Sequence, residues 1–317
     1  MTTVVPPRTK SKDYLSVLDL DAADLGHLLD VAAQLKAERP LGPRAPSATA
    51  LGGAHVAMLF EKPSLRTRST FEIAVRELGG HVLHVPAELI DGTREPLEDI
   101  ARNLERWVKG LVIRTFAQEK AVAIASCTTG LHVVNALTDE QHPCQALADF
   151  MTLRERWGSW KGRTLTYVGD GNNVAASLAH AAAMVGVTMR IASPKGYELP
   201  DRALQEARAV AREGAQIVLM EDPLEAASGS DAIYTDVWTS MGQEREAALR
   251  RETFASYQVN DTLMAAASPG ALFMHCLPAH RGEEVTASVL ESPASVVFDQ
   301  AENRLHTQKA LLQMLIR

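Results

Sequence analysis

Along the chain, short unbroken apolar runs alternate with longer segments of mixed polarity. The first half offers HVAMLF (55–60), HVLHV (81–85), LVIRT (111–115) and HVVNAL (132–137). The second half offers TLTYVGD (164–170), VTMRIAS (187–193), QIVLM (216–220), AIYTDVW (232–238), LFMHCL (272–277) and VVFDQ (296–300). Such β-rich runs, lacking a polar alternation, predict strands covered on both faces, as in a parallel sheet. The stretches between them are long enough for crossover helices. The pattern therefore predicts an α/β fold.

At 317 residues the chain is too long for one comfortable core, and two domains of roughly 150 residues are expected. A helical stretch, RERWG, and a Trp-Lys-Gly-Arg turn precede the strand at 164, which places the boundary near residue 150. Residues 1–150 and 151–317 should each build a parallel β-sheet flanked by helices. The final segment, AENRLHTQKALLQMLIR, has apolar residues at Leu305, Leu311, Leu312 and Leu315 and predicts an amphipathic closing helix from about residue 302.

Composition narrows the function classes. Acidic side chains outnumber basic ones 39 to 32, a formal net charge of -7, which argues against nucleic acid as a partner. Three cysteines, Cys127, Cys144 and Cys276, are unevenly spaced and odd in number, which suits a reducing compartment. No apolar run has the length of an export signal or a membrane span. The expectation is a cytoplasmic enzyme.

In parallel α/β sheets, ligands sit beyond the carboxyl ends of strands, and polar clusters fall at those ends here. After HVAMLF come Ser64, Leu65, Arg66, Thr67 and Arg68 at the start of a helical pattern. Hydroxyls and backbone N–H groups at a helix N-terminus, with arginines beside them, suit a phosphate; the bland alternative is a capped, solvated turn. The GxxxxGK pattern of nucleotide-binding loops is missing. Arg114 ends LVI and is either a surface residue or a second anion contact. His142 and Gln145 flank a proline turn, where a histidine can donate to a carbonyl oxygen and polarise it; it can equally cap a strand end. His142, Cys144 and Cys276 do not have the spacing of a zinc site, and no metal is expected.

VGDGNNVA has the rhythm of a dinucleotide-binding turn, yet Asn173 and Val174 stand where a later glycine belongs. Asn172 and Asn173 suit an amino acid's polar end instead. Asp236, Ser240 and Met241 follow the next strand end; Asp236 can hold an ammonium group, while Asp236 or Ser240 can equally cap the GQEREAALRRE helix. Arginines for phosphate, a His/Gln pair for a carbonyl and Asn/Asp/Ser for an amino acid together point to acyl or carbamoyl transfer from a phosphate to an amine. That chemistry needs neither metal nor redox cofactor.

FEKPSLRTR, VIRTF, HPCQALAD, VGDGNNVA, DVWTSMG, MHCLPAHRG and FDQAENR occur in order along almost the whole chain. In this it resembles the aspartate/ornithine carbamoyltransferase family, on its ornithine branch. The resemblance implies a carbamoyl phosphate domain followed by an ornithine domain, with the closing helix returning to the first. It also implies a homotrimer or an assembly of trimers. Ser64, Leu65, Arg66, Thr67, Arg114, His142, Gln145 and Arg304 would then contact carbamoyl phosphate, and Cys276 and Leu277 would face both substrates. Asn173, Asp236, Ser240 and Met241 would hold ornithine. Direct attack by the side-chain amine gives citrulline and phosphate, with Arg66 and His142 stabilising charge and Cys276 with Asp236 favouring the neutral amine. A covalent role for Cys276 is the competing mechanism.

Two departures from the family pattern stand out. Leu65 replaces a threonine in the phosphate loop, and Ile90 stands where relatives carry a glutamine before the GxxEP stretch marked by Gly92, Glu95 and Pro96. No residue of that second loop is carried over. Rival readings are a carbamoyltransferase for putrescine or N-acetylornithine, and a carbamoyl phosphate-binding protein without activity.

Overall fold

The computed structural model describes residues 11–90, 95–240 and 242–316. The chain divides into two compact units. Unit 1 comprises Met1–Met151 with Glu302–Arg317, and unit 2 comprises Thr152–Ala301.

Unit 1 runs α1 (Ala22–Glu38), β1 (His55–Phe60), α2 (Leu65–Glu77), β2 (His81–Val85), α3 (Leu97–Trp107), β3 (Gly110–Arg114), α4 (Gln118–Ser126), β4 (His132–Leu137) and the first part of α5 (Pro143–Trp157). Its strands pair in parallel in the order β2-β1-β3-β4. The middle of β1 and all of β3 are buried, as the absence of polar alternation predicts. Their side chains Leu59, Leu111 and Ile113 pack with Ile100 and Leu104 of α3 and Ile124 of α4. The open edge of β4 is covered by the N-terminal segment: Tyr14 bridges Val134, its N–H donates to the Val133 carbonyl, and Asn135 N–H returns the bond.

Unit 2 continues with β5 (Thr164–Val168), α6 (Asn173–Val185), β6 (Thr188–Ala192), α7 (Asp201–Ala209), β7 (Ile217–Met220), α8 (Pro223–Ala227), β8 (Ala232–Thr235), α9 (Ala247–Phe254), α10 (Asp261–Ala266), β9 (Leu272–His275), α11 (Ala287–Leu290) and the start of α12 (Val297–Leu315). This parallel sheet has the order β7-β6-β5-β8-β9. Val168, Ile233 and Phe273 from its strands pack with Trp238, Phe254, Tyr257 and Val259. From Glu302 onward α12 belongs to unit 1, the return of the closing helix that the resemblance implied. There Lys309 donates to Glu77 of α2 at 3.0 Å, and Ile316 lies where a side chain on Gly110 would have to go.

One expected strand is absent. VVFDQ (296–300) meets β9 at its start alone, where Ser295 bridges Phe273 and Val296 N–H donates to the Phe273 carbonyl at 3.0 Å, then turns into α12, where Gln300 N–H already bonds the Val296 carbonyl. Asp299 lies in the first helical turn, where an acidic group complements the helix dipole, and Phe298 points outward at 74 % exposure. A short apolar run cannot be told from the first turn of a buried helix by pattern alone.

Each sheet reverses its strand order once, and the candidate residues follow those points. In unit 1 the order turns between β1 and β3, with Ser64 beyond one and Arg114 at the end of the other. In unit 2 it turns between β5 and β8, which are followed by Asn172 and Asp236. Crevices at such switch points are the usual ligand sites of open parallel sheets.

Candidate active site

The unit 1 group is assembled from three strand ends, those of β1, β3 and β4, and the closing helix α12. Ser64 is extended and caps α2, its Oγ accepting from Thr67 N–H at 3.3 Å. This leaves the first backbone donors of α2 at the loop that carries Leu65 and Arg66. Leu65 is 77 % exposed, so the side chain that departs from the family pattern is not needed for packing. Arg68 does not join the group: it is exposed and lies 3.3 Å from His84 Nδ1 on β2.

Thr67, Arg114, His142, Gln145 and Arg304 are all buried. Arg304, on α12, donates Nη1 to Gln145 Oε1 at 2.9 Å and Nη2 to Thr67 Oγ1, so one guanidinium joins the Ser64–Thr67 segment to the His/Gln turn. Gln145 donates its own amide to Asp149, one turn along α5, at 2.8 Å. This bond fixes which way its amide points. Burial pushes the His142 imidazole well below the usual histidine range, and the charges of Arg304, Arg114 and Lys62 push it the same way. His142 is therefore neutral near pH 7, an N–H donor without a full charge. Cys144, two residues on, is raised to about 12 by burial, against a smaller opposing effect of Arg304. A thiol so placed is inert.

The unit 2 group is acidic and amide-rich. Asn172 caps α6, its Oδ1 accepting from Val174 N–H at 2.9 Å and Ala175 N–H at 3.2 Å. The donors that a dinucleotide phosphate would use are thus taken by the protein's own side chain, which agrees with the incomplete glycine pattern. Gly171 permits the tight turn before it: a Cβ there would sit 2.3 Å from Leu199 N. The Asn172 amide donates to Asp236 Oδ2 at 2.9 Å, and Cys276 Sγ–H donates to Asp236 Oδ1 at 2.9 Å. Asp236 is buried and both its oxygens are engaged.

The loop bearing Cys276 is held from below. His275 is fully buried, and its Nδ1 accepts from Leu277 N–H at 2.8 Å. Its Nε2 therefore carries the proton and faces Glu284 Oε1 at 3.3 Å. Leu277 has φ of 61°, the left-handed region that a branched side chain rarely occupies. That bond to His275 and the bond from His275 N–H to Gln300 Oε1 hold the segment there. Arg250 does the same for the neighbouring loop. It donates to Asp170 at 2.8 Å and to the Trp238 carbonyl at 3.0 Å, and its guanidinium lies 4.9 Å over the Tyr197 ring.

Neither capping role suggested for Asp236 and Ser240 is observed. The Gly-Gln-Glu segment leads through a 3-10 turn at Glu244–Glu246, and Glu246 precedes α9. Ser240 N–H instead donates to Gln243 Oε1 at 3.1 Å. Met241, and Thr93 and Arg94 of the loop after Ile90, lie outside the described residues.

Asp236, His275 and Cys276 bring potential metal-ligating atoms within 4.8 Å of one another. Those atoms are turned to each other and to protein donors: Cys276 to Asp236, His275 Nδ1 to Leu277 N–H, His275 Nε2 to Glu284. The arrangement reads as a hydrogen-bonded network.

Sequence reasoning singled out neither Lys62 nor the supports His275, Glu284, Arg250 and Asp149. The one available signal was spacing: Asp149 lies one helical turn after Gln145.

The chain matches two family models, "Aspartate/ornithine carbamoyltransferase, carbamoyl-P binding domain" over residues 12–155 and "Aspartate/ornithine carbamoyltransferase, Asp/Orn binding domain" over residues 161–315. It is 50 % identical over 313 residues to the ornithine carbamoyltransferase of Acidothermus cellulolyticus, covering 96 % of each chain. Among solved structures, the ornithine carbamoyltransferase of Pyrococcus furiosus superposes with a TM-score of 0.92 at 44 % identity, covering 99 % of both chains. That of Thermus thermophilus gives 0.87 at 44 % identity, covering 98 % of this chain and 100 % of the other.

Proposed function

We propose how the two units divide one reaction, on the premise that the chain belongs to the aspartate/ornithine carbamoyltransferase family. The protein transfers the carbamoyl group of carbamoyl phosphate to ornithine, forming citrulline. Unit 1 takes the carbamoyl phosphate. The α2 N-terminus with Ser64, Leu65, Arg66 and Thr67 receives the phosphate, and Arg114 and Arg304 balance its charge. His142 and Gln145 address the carbamoyl end, where a neutral imidazole N–H supports the negative charge that develops on oxygen.

Unit 2 takes the amine. Asn173, Asp236, Ser240 and Met241 receive ornithine, whose side-chain amine is lysine-like and mostly protonated near neutrality. The Asp236–Cys276 pair favours its neutral form, and Leu277 and Cys276 also meet the carbamoyl group. The neutral nitrogen attacks the carbamoyl carbon, the bond to the phosphate oxygen breaks, and the proton lost by nitrogen leaves with phosphate. No enzyme-bound carbamoyl group forms.

The observation that carries this division is the contrast of donors. Thr67, Gln145 and Arg304 are linked into one cationic group, and Asn172, Cys276 and Asp236 into one acidic group. We further propose a cytoplasmic homotrimer, or an assembly of trimers, that uses no metal, no cofactor and no nucleic acid. Among the described residues no helix is long and apolar enough to cross a membrane. Citrulline formation, compared with the carbamoylation of putrescine, N-acetylornithine and aspartate at fixed carbamoyl phosphate, tests the substrate. Ornithine should have the highest kcat/KM, and a higher value for putrescine would overturn the assignment of the α-amino acid contacts.

A further inference from the structure

Lys62 is a buried lysine that the division of labour above leaves unused. It lies between β1 and α2, two residues before Ser64, and is only 4 % exposed. Burying an ammonium group is costly unless a partner compensates it. Two partners do so. Its Nζ pairs with the Asp139 carboxylate, and it sits 4.4 Å above the Phe116 ring. Asp139 in turn donates its N–H to the Phe116 carbonyl at 2.8 Å. Asp139 belongs to the loop between β4 and α5, three residues before His142. The ion pair therefore fastens the loop that carries the imidazole to the loop that opens onto the phosphate cradle.

We propose that Lys62 is a further positioning residue for carbamoyl transfer, holding the His142 loop to the phosphate loop and keeping a buried cation in the surroundings of the imidazole. The inference rests on the role given to His142 above. It is also supported electrostatically: three cations act on His142, Arg304 from α12, Arg114 from β3 and Lys62 from the β1–α2 loop. Each disfavours a protonated imidazole. Asp139, on the same loop as His142, partly offsets the Lys62 charge.

The test uses the full-length enzyme labelled with 13C-histidine, the His142 resonance being assigned by its loss in H142N. Wild-type citrulline formation is measured first; its absence would overturn the functional reading and leave the Lys62 inference to the spectra. In K62M, which keeps most of the apolar stem, the His142 titration should move to higher pH, because one opposing cation is gone. Its kcat should fall between about tenfold and about a hundredfold, the cost of a slight misplacement. K62R, which keeps the charge, should restore the titration and most of kcat. D139N keeps the cation and loses the tether, so kcat should fall without an upward shift of the titration. Asp139 is more than half exposed, so that variant is expected to fold even if K62M does not. A K62M enzyme with wild-type kcat and an unmoved His142 titration overturns the proposal. So does a D139N enzyme whose titration moves up as it does in K62M.

Discussion

The two units use the same architectural position for opposite electrostatic tasks. Both place their polar groups beyond the carboxyl ends of a parallel sheet, where the strand order reverses. In unit 1 the position is filled with buried cations around a helix N-terminus whose Ser64 cap engages one backbone donor, that of Thr67. In unit 2 the equivalent helix, α6, has its first donors occupied by Asn172, and a carboxylate dominates. The capping side chain thus decides how many backbone donors a helix start keeps for a ligand, one being taken in α2 and two in α6. The cysteines differ in the same way. Cys144 in unit 1 is sealed by burial, while Cys276 in unit 2 faces a carboxylate.

The largest expected effect breaks unit 2. Asp236→Ala removes the acceptor of both Cys276 and Asn172, and kcat should fall by about 10³-fold, within the range of a lost proton-transfer group. The KM for carbamoyl phosphate should change little, which steady-state kinetics with each substrate varied will show. An equal rise in that KM would dissolve the contrast between the units.

Arg304→Gln is the converse experiment. It removes charge-assisted bonds to Thr67 and Gln145, and the loss of one contribution of about 2 kcal/mol from the binding of carbamoyl phosphate corresponds to about a thirtyfold fall in affinity. Calorimetric titration with carbamoyl phosphate alone reads this directly.

A smaller effect concerns acid stability. Burial, with the nearby charges of Lys36 and Arg39, lowers His306 from 6.5 to about 4 despite the opposing Glu302. The unfolded chain binds a proton there below about pH 6.5 while the folded one does not. Stability contributed by the neutral ring is thus present above pH 6.5 and lost as pH falls towards 4. The Tm of His306→Gln should decline less than that of the wild type across this window. His142 and His180, also lowered by burial, add to the slope and remain in the variant.

The smallest effect is none. Cys144→Ser should leave kcat within about twofold, because a buried thiol raised this far takes no part in chemistry at neutral pH. A large loss would mean that the turn bearing His142 tolerates no change in packing.

Much of this was legible in the sequence. Unbroken runs such as LVIRT and TLTYV announced buried parallel strands, and polar clusters placed directly after them marked the strand ends. VVFDQ misled because Val296 and Val297 are buried on either side of the point where the bridge to β9 gives way to α12, and Gln300 bonding back to Val296 marks the helix. The supporting residues were harder to foresee. Glu284 reaches His275, Arg250 reaches Asp170 and Arg304 reaches Thr67 across separations of 9, 80 and 237 residues. Such pairs are created by the fold, and no local spacing signals them. Asn172 is the intermediate case. Its place at a helix start was visible, but its choice of capping the helix and holding Asp236 was not.

The central claim is that Cys276 serves the amine and never carries the carbamoyl group. Rapid-quench mixing of the enzyme with 14C-carbamoyl phosphate, followed by acid denaturation and peptide mapping, addresses it most directly. No label should remain on the protein at any time, with or without ornithine. A carbamoyl thioester at Cys276 that forms and decays at the rate of citrulline production would contradict direct attack and replace it with a covalent mechanism.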